Sequence, residues 1–233
     1  MLRLLIVYSV ILIVTTIVFV MLLLFGLFFN CYGWFGKSLL KFWSSSVLLF
    51  SGVKLNVTGL ENYDQNESYI VASNHRHLYD IPVLAIATKL NLKFIAKKEL
   101  FRIPVFGWVL SLVGMIKIDR SNSTKAVASL KKAQEIAEEH KISITVFPEG
   151  TRSKIGELLP FKKGTFMTSI NTGIPLLPIS IEGSDKVLVG FKCKPRTINV
   201  HVHKPIDPKK YDASKRTEFM IDVRKIIQSK PHC

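Results

Sequence analysis

The sequence predicts an α/β domain built on a mixed, mostly parallel sheet flanked by helices, behind a two-helix segment that associates with a membrane. Three observations predict it. Beyond about residue 52, apolar runs of strand length alternate with segments of helical period, the order expected of a largely buried sheet with crossover helices. Several of these runs end in clusters of polar and charged residues, the usual location of a binding site in such folds. From Leu4 to Phe29 there is no charged residue, and only Tyr8, Ser9, Thr15 and Thr16 interrupt the apolar character.

The elements follow in order. About 20 apolar residues are enough for a helix to cross the hydrocarbon core, and Leu4–Phe29 exceeds that length. A secretory leader has a shorter apolar region and a small-residue cleavage site, whereas Phe29-Asn30-Cys31-Tyr32-Gly33-Trp34 follows here. The segment is therefore read as a retained anchor. Gly33 and Gly36 break it, and Ser38–Phe50 forms a second helix too short to span, with Trp34 and Trp43 suited to the interface. Hydropathy alone leaves open whether the first helix crosses the bilayer or dips into one leaflet, and packing of both helices on the domain is the purely structural alternative. Residues 1–50 are read as the anchor and 51–233 as one globular domain. Strands are expected at Val53–Val57, Tyr69–Ala72, Lys93–Ala96, Met115–Ile118, Ile142–Phe147, Leu176–Ile181 and Thr197–Val202. Helices are expected near Pro82–Leu90, Glu99–Val113, Thr124–His140, Thr165–Thr172 and Ser214–Ile227. Strict alternation over Thr197–His203 predicts an edge or half-exposed strand.

Charge and cysteine usage narrow the function. The 32 Lys and Arg residues against 17 Asp and Glu give a formal charge of +15, which calls for an anionic partner. The lysines are spread along the chain and no nucleic-acid motif occurs, so the expected partner is a lipid surface or a phosphorylated substrate and not nucleic acid. Cys31, Cys193 and Cys233 are scattered without metal-ligand spacing. They predict a reducing compartment, no disulfide framework and no metal.

Four segments carry candidate chemistry. The first, Ser73 to Pro82, places His75 just past a strand end with Asp80 five residues on. A carboxylate there can hold one imidazole nitrogen and leave the other free to take a proton. Asp80 is equally suited to capping a helix start before Pro82, and His77 is the rival base. The second is Phe147-Pro148-Glu149-Gly150-Thr151-Arg152-Ser153. Arg152 can grip a phosphate and Glu149 can accept from a hydroxyl, or the loop is solvated with an ion pair of little worth. The third, Gly114–Arg120, is a strand ending in a charged pair. The fourth, Ile174-Pro175-Leu176-Leu177-Pro178, is an apolar strand that its prolines confine to an edge or to irregular pairing.

In this order, the four segments resemble the motif blocks of the PlsC-type glycerolipid acyltransferase family: NHxxxxD at Asn74–Asp80, GxxxIDR at Gly114–Arg120, FPEGTRS at Phe147–Ser153 and IPxxP at Ile174–Pro178. Ala96–Leu100 and Phe161–Gly164 resemble further family segments, so the likeness covers roughly residues 70–185. One departure is His77, where family members often carry a small residue. The resemblance implies a glycerolipid acyltransferase αβ fold and transfer of a fatty acyl group from acyl carrier protein or coenzyme A to lysophosphatidic acid. It implies His75 and Asp80 as catalytic residues. Lys97, Arg120, Glu149, Gly150, Thr151 and Arg152 become the substrate-binding candidates, and no bound cofactor is expected. Phe106 and Trp108 are candidates for a bilayer-facing wall, with core packing as the alternative. The anchor implies a lipid-bilayer partner, and the expected location is the cytoplasmic face of a bacterial inner membrane. Within the family the acceptor could instead be glycerol-3-phosphate or a lyso-ornithine lipid, and outside it the chain could be a non-catalytic basic membrane tether. No GxSxG elbow occurs, which argues against a hydrolase.

Overall fold

Apolar residues run round every side of the first helix, α1 (Leu2–Phe25), yet only one stripe is buried: Leu4, Val7, Val14, Val18 and Leu22. The computed structural model that shows this describes residues 2–26, 28–119, 123–153 and 157–229. The second helix, α2 (Trp34–Ser51), starts earlier than its apolar pattern suggested. It stops at Gly52, whose left-handed φ of 69° lets its N–H close on the carbonyls of Leu48 and Leu49. The two helices run antiparallel, and the Trp43 indole donates to Thr15 Oγ1 at 3.1 Å. Leu4, Val7, Val47 and Leu48 share one core with sheet residues such as Val71, Leu177 and Ile198. The N-terminal segment is therefore packed along the domain. Its outer face, including Leu5, Leu12, Ile13, Leu23 and Leu24, remains exposed.

The strands are β1 (Val53–Thr58), β2 (Ile70–Ser73), β3 (Leu92–Lys97), β4 (Ile116–Ile118), β5 (Ser143–Val146), β6 (Leu176–Glu182), a small hairpin of β7 (Leu188–Val189) and β8 (Lys192–Cys193), and β9 (Arg196–Val202). The main sheet has seven strands in the order β1-β9-β6-β2-β5-β3-β4. Every neighbouring pair is parallel except β6 with β9. Successive side chains point to opposite faces. Val71, Leu177 and Ile179 meet α1, α2 and α3 (Asp80–Ala87). Ile70, Ala72, Ile144 and Leu176 meet α5 (Ser123–His140), α6 (Gly164–Thr172) and α7 (Arg216–Gln228).

Three expectations need correction. The single helix over Glu99–Val113 is a 3-10 turn, Lys98–Arg102, and a separate α4, Phe106–Leu112. Pro104 supplies no N–H and forces Ile103 into an extended conformation, with ψ 121°. The half-exposed β9 does alternate as expected, but β1 covers its outer side, so β1 is the edge. Finally, β6 lies inside the sheet despite Pro178. The carbonyl of Pro178 accepts from His203 N–H at 3.0 Å, so its missing donor falls opposite a residue just past the end of β9.

Lys93 opens the strand candidate Lys93–Ala96 and is only 1% exposed. Its ammonium donates to the carbonyls of Cys31 (2.7 Å) and Val113 (2.8 Å) and lies 5.7 Å from the Tyr32 ring centre. It clasps the α1–α2 turn and the end of α4 to β3. Burial pushes its pKa down to about 8. The folded state then holds fewer protons than the unfolded chain between about 8 and the ordinary value of 10.5, so this group adds stability as pH rises through that window. The expected result in urea unfolding from pH 8 to 9.5 is a rise for the wild type relative to Lys93→Met. Taking the difference cancels Tyr63 and Tyr79, which burial raises to about 12.

Candidate active site

Parallel pairing puts the C-terminal ends of β6, β2, β5, β3 and β4 on one edge of the sheet, where loops of α/β folds form sites. From β2 the chain leaves through Ser73 and Asn74. The buried Asn74 side chain acts as a substitute for backbone: Nδ2 donates to Ile181 O (2.9 Å) and Oδ1 accepts from Ile181 N–H (2.8 Å). This clip prolongs the β2–β6 pairing by one step and fixes where His75 emerges.

Asp80 is wholly buried at the first turn of α3, where the helix dipole favours a negative charge. It does not cap that helix. Its Oδ2 reaches backwards, accepting from Arg76 N–H (2.7 Å), His77 N–H (2.8 Å) and His75 Nδ1 (2.8 Å). Two backbone donors thus hold the carboxylate while it holds the ring, and the third bond commits Nδ1 as donor. Nε2 keeps the free lone pair.

The β5 loop supplies the other wall. Phe147 stacks on the His75 ring with centroids 3.9 Å apart and planes 14° from parallel. Glu149, only 3% exposed, accepts from His75 N–H through Oε1 (2.7 Å) and from Leu159 N–H through Oε2 (2.9 Å). Ser153 N–H donates to His75 O at 2.9 Å. The His75 backbone is therefore held at both its N–H and its carbonyl by the Phe147–Ser153 loop. Gly150 turns that loop with φ 71°, and a Cβ there would stand 2.7 Å from the Lys162 side chain.

The remaining candidates are more dispersed. Thr151 and Arg152 are exposed on the same loop. The Arg152 charge lies close enough to depress the pKa of His77, although burial is the larger cause. His77 itself stacks on Tyr79 at 5.4 Å. Lys97, at the end of β3, points to solvent and stands 3.7 Å from Glu99. Arg120 lies outside the described residues. Beside Lys97, a cleft of about 320 Å³ is lined by Lys98, Arg102, Lys117, Asp119 and Ser129, with Lys98 and Asp119 paired at 2.8 Å. Between α1 and α4 an apolar groove of about 460 Å³ is lined by Phe19, Leu23, Trp108, Ser111 and Leu112. Trp108 is thus exposed on one side and stacked on Phe19 on the other.

A family model described as "Acyltransferase" matches residues 54–182, which contain both the His75–Asp80 segment and the Phe147–Ser153 loop. The chain belongs to the acyltransferase family. Among its relatives, the chloroplastic 1-acyl-sn-glycerol-3-phosphate acyltransferase BAT2 of Brassica napus is 36% identical over 176 residues, 74% of this chain and 50% of that protein. The 1-acyl-sn-glycerol-3-phosphate acyltransferase of Escherichia coli K12 is 32% identical over 173 residues, 74% of this chain and 69% of that one. The crystal structure of the 1-acyl-sn-glycerophosphate acyltransferase PlsC from Thermotoga maritima superposes with a TM-score of 0.77 at 26% identity. That alignment covers 97% of this chain and 95% of the other. The chain spans about half the length of the Brassica napus and Arabidopsis thaliana relatives it matches.

Sequence reasoning missed three contributors to this family site. Asn74 stood in the first motif without a role. Phe147 stood at a strand end and at the head of the second motif, with no role of its own. Tyr79, whose hydroxyl hydrogen-bonds Ser51 at the end of α2, links the His75 loop to the N-terminal helices. A buried amide next to a strand end is the signal that marks Asn74. No local pattern marks the other two.

Proposed function

We propose that this chain transfers a fatty acyl group from a thioester to the sn-2 hydroxyl of 1-acyl-sn-glycerol-3-phosphate, giving phosphatidic acid. The observation that carries the reading is the His75–Asp80 contact at 2.8 Å, with Nε2 uncommitted at the loop-bearing edge of the sheet. In the proposed step, Nε2 takes the hydroxyl proton as the acceptor oxygen bonds to the thioester carbon. The oxyanion then collapses, the carbon–sulfur bond breaks, and the thiolate leaves with the proton from the imidazolium. Asp80 stabilises the ring while it is charged. The N–H groups of His75, Arg76, His77, Gly150 and Ser153 are already bonded and Glu149 is buried; the amides of the exposed Thr151 and Arg152 are therefore assigned as the oxyanion donors. Glu149 acts by holding the His75 backbone. Arg152 and Lys97 take the acceptor's phosphate.

The acceptor and the product both reside in lipid, and the exposed apolar face of α1 supports immersion of that face in one leaflet. The free thiols Cys31 and Cys193 and a thioester donor both suit the cytoplasmic face of a bacterial inner membrane. Purified full chain in detergent, offered 1-acyl-glycerol-3-phosphate, glycerol-3-phosphate and a lyso-ornithine lipid, each with acyl carrier protein and coenzyme A thioesters, tests the reading. The expected result is turnover with 1-acyl-glycerol-3-phosphate; turnover with neither donor on that acceptor would overturn it. In the same assay, Arg152→Ala is expected to raise the acceptor's KM about tenfold and leave the donor's KM in place. A rise confined to the donor would move Arg152 to the carrier site.

A further inference from the structure

The hairpin β7–β8 is an anomaly in this surface. Leu188 pairs with Cys193 and Val189 with Lys192, around a two-residue turn of Gly190, with a left-handed φ of 56°, and Phe191. Gly at the first of the two positions is an ordinary choice for so tight a turn, and it leaves the second position open to any side chain. Here the turn holds up a phenylalanine that is 82% exposed, above every other large hydrophobic residue described, with Val189 51% exposed beside it. Among the described residues nothing covers either one.

The base of the hairpin is buried, in contrast to its tip. Val187 and Cys193 are buried in one core with Leu4 and Val7 of α1, and Lys194 N–H donates to Val187 O at 2.8 Å. The hairpin therefore rises from the seam where the first turns of α1 meet the sheet. Leu2, Leu5 and Ile6, in those same first turns of α1, are exposed as well. Four exposed cations, Lys186, Lys192, Lys194 and Arg196, flank the hairpin, with Asp185 as the one carboxylate in the segment 184–196.

We propose that this hairpin is a second membrane contact, inserting Phe191 and Val189 at the boundary of headgroups and acyl chains while its four cations bind anionic lipid headgroups. The inference rests on the reading of the α1 face as immersed in a leaflet. An apolar tip inside a basic collar matches the physics of that boundary: burial of the ring drives insertion, and the cations are drawn to the negative leaflet. Position gives the contact a purpose. The hairpin touches α1 near Leu4, and the groove with Trp108 touches it near Leu23, about 28 Å further along the helix. Two contacts that far apart set the tilt of the domain, which a single helix free to roll would not, and so hold the acceptor-binding edge at the lipid surface.

The test uses full chain, wild type and Phe191→Trp, mixed with phosphatidylcholine vesicles, with or without phosphatidylglycerol, carrying a brominated acyl chain. The expected result is added tryptophan quenching in the variant beyond that of Trp34, Trp43 and Trp108, increasing with phosphatidylglycerol and reduced by the double change Lys192→Ser, Lys194→Ser. Phe191→Ser is expected to keep its detergent activity and to lose about tenfold in activity on vesicle-borne acceptor. Wild type that binds vesicles while residue 191 adds no quenching overturns the hairpin contact alone. Wild type that leaves vesicles unbound overturns the membrane reading and the contact together.

Discussion

His75→Ala is expected to lower kcat about 10³-fold while unfolding at nearly the same urea concentration as the wild type. The ring makes one hydrogen bond, to Asp80, and one stack, on Phe147; neither holds the fold, because the backbone of residue 75 is secured separately by Glu149 and Ser153. What the substitution removes is the free Nε2. General-base assistance contributes about 10²–10⁴ to such reactions, and with it goes the proton that the departing thiolate needs. Steady-state and single-turnover assays check the loss, and a variant with normal turnover would end the base assignment. The acceptor's KM is expected to stay within a few-fold, since the phosphate contacts assigned to Arg152 and Lys97 are untouched.

Two buried carboxylates sit within this site, and neutralising each is expected to divide its effect differently between stability and turnover. In Asp80, Oδ2 accepts all three donors, whereas Oδ1 has no hydrogen-bond partner among the described residues. Asparagine can place its oxygen at Oδ2 and its amide nitrogen at Oδ1 without meeting another donor. Asp80→Asn is therefore expected to fold, at a cost of about 1–2 kcal/mol for the unpaired amide, and to lose about 10³-fold in kcat because the imidazolium loses its countercharge. Glu149 divides its oxygens between two backbone N–H groups on different segments, His75 and Leu159. Glu149→Gln must set its amide nitrogen against one of them. Its expected signature is a loss of about 2–3 kcal/mol in stability, with reduced activity as a consequence of loosened loops. Urea midpoints and kcat measured on both variants separate the two roles, and equal losses of stability would refute the distinction.

Much of this was legible in the residues. The apolar run from Leu4 to Phe29 is longer than any other uncharged stretch of the chain and announced the first helix, although the helix itself spans Leu2–Phe25. The alternation of strands and helices emerged because period and turn residues act locally. The helix over Glu99–Val113 failed for a local reason too, since Pro104 outweighed the periodicity around it. Illegible were the features that need a partner from elsewhere. Nothing near Lys93 announces that two carbonyls, from residues 31 and 113, will close over its ammonium. The pair of residues at β7–β8 is too short to carry a period. Pro178 reads as an edge residue until the end of β9 is seen to stop opposite it.

The site divides along the same line. By itself the sequence put His75 and Asp80 within reach of each other, five residues apart between a strand end and a helix start, and the structure shows the contact at 2.8 Å. The sequence also determined which strand ends carry charge, and the apolar character of the N-terminal helices. Only the tertiary structure decided that Glu149 and Ser153 grip the backbone of a residue more than seventy positions earlier, and that Tyr79 ties that loop to α2. It alone set the first turns of α1 against the sheet core and the remainder against α2 and α4. The reason is that sheet order is chosen by burial summed over the whole domain: β2 and β5 become neighbours only after intervening helices have packed, and no window of residues contains that sum.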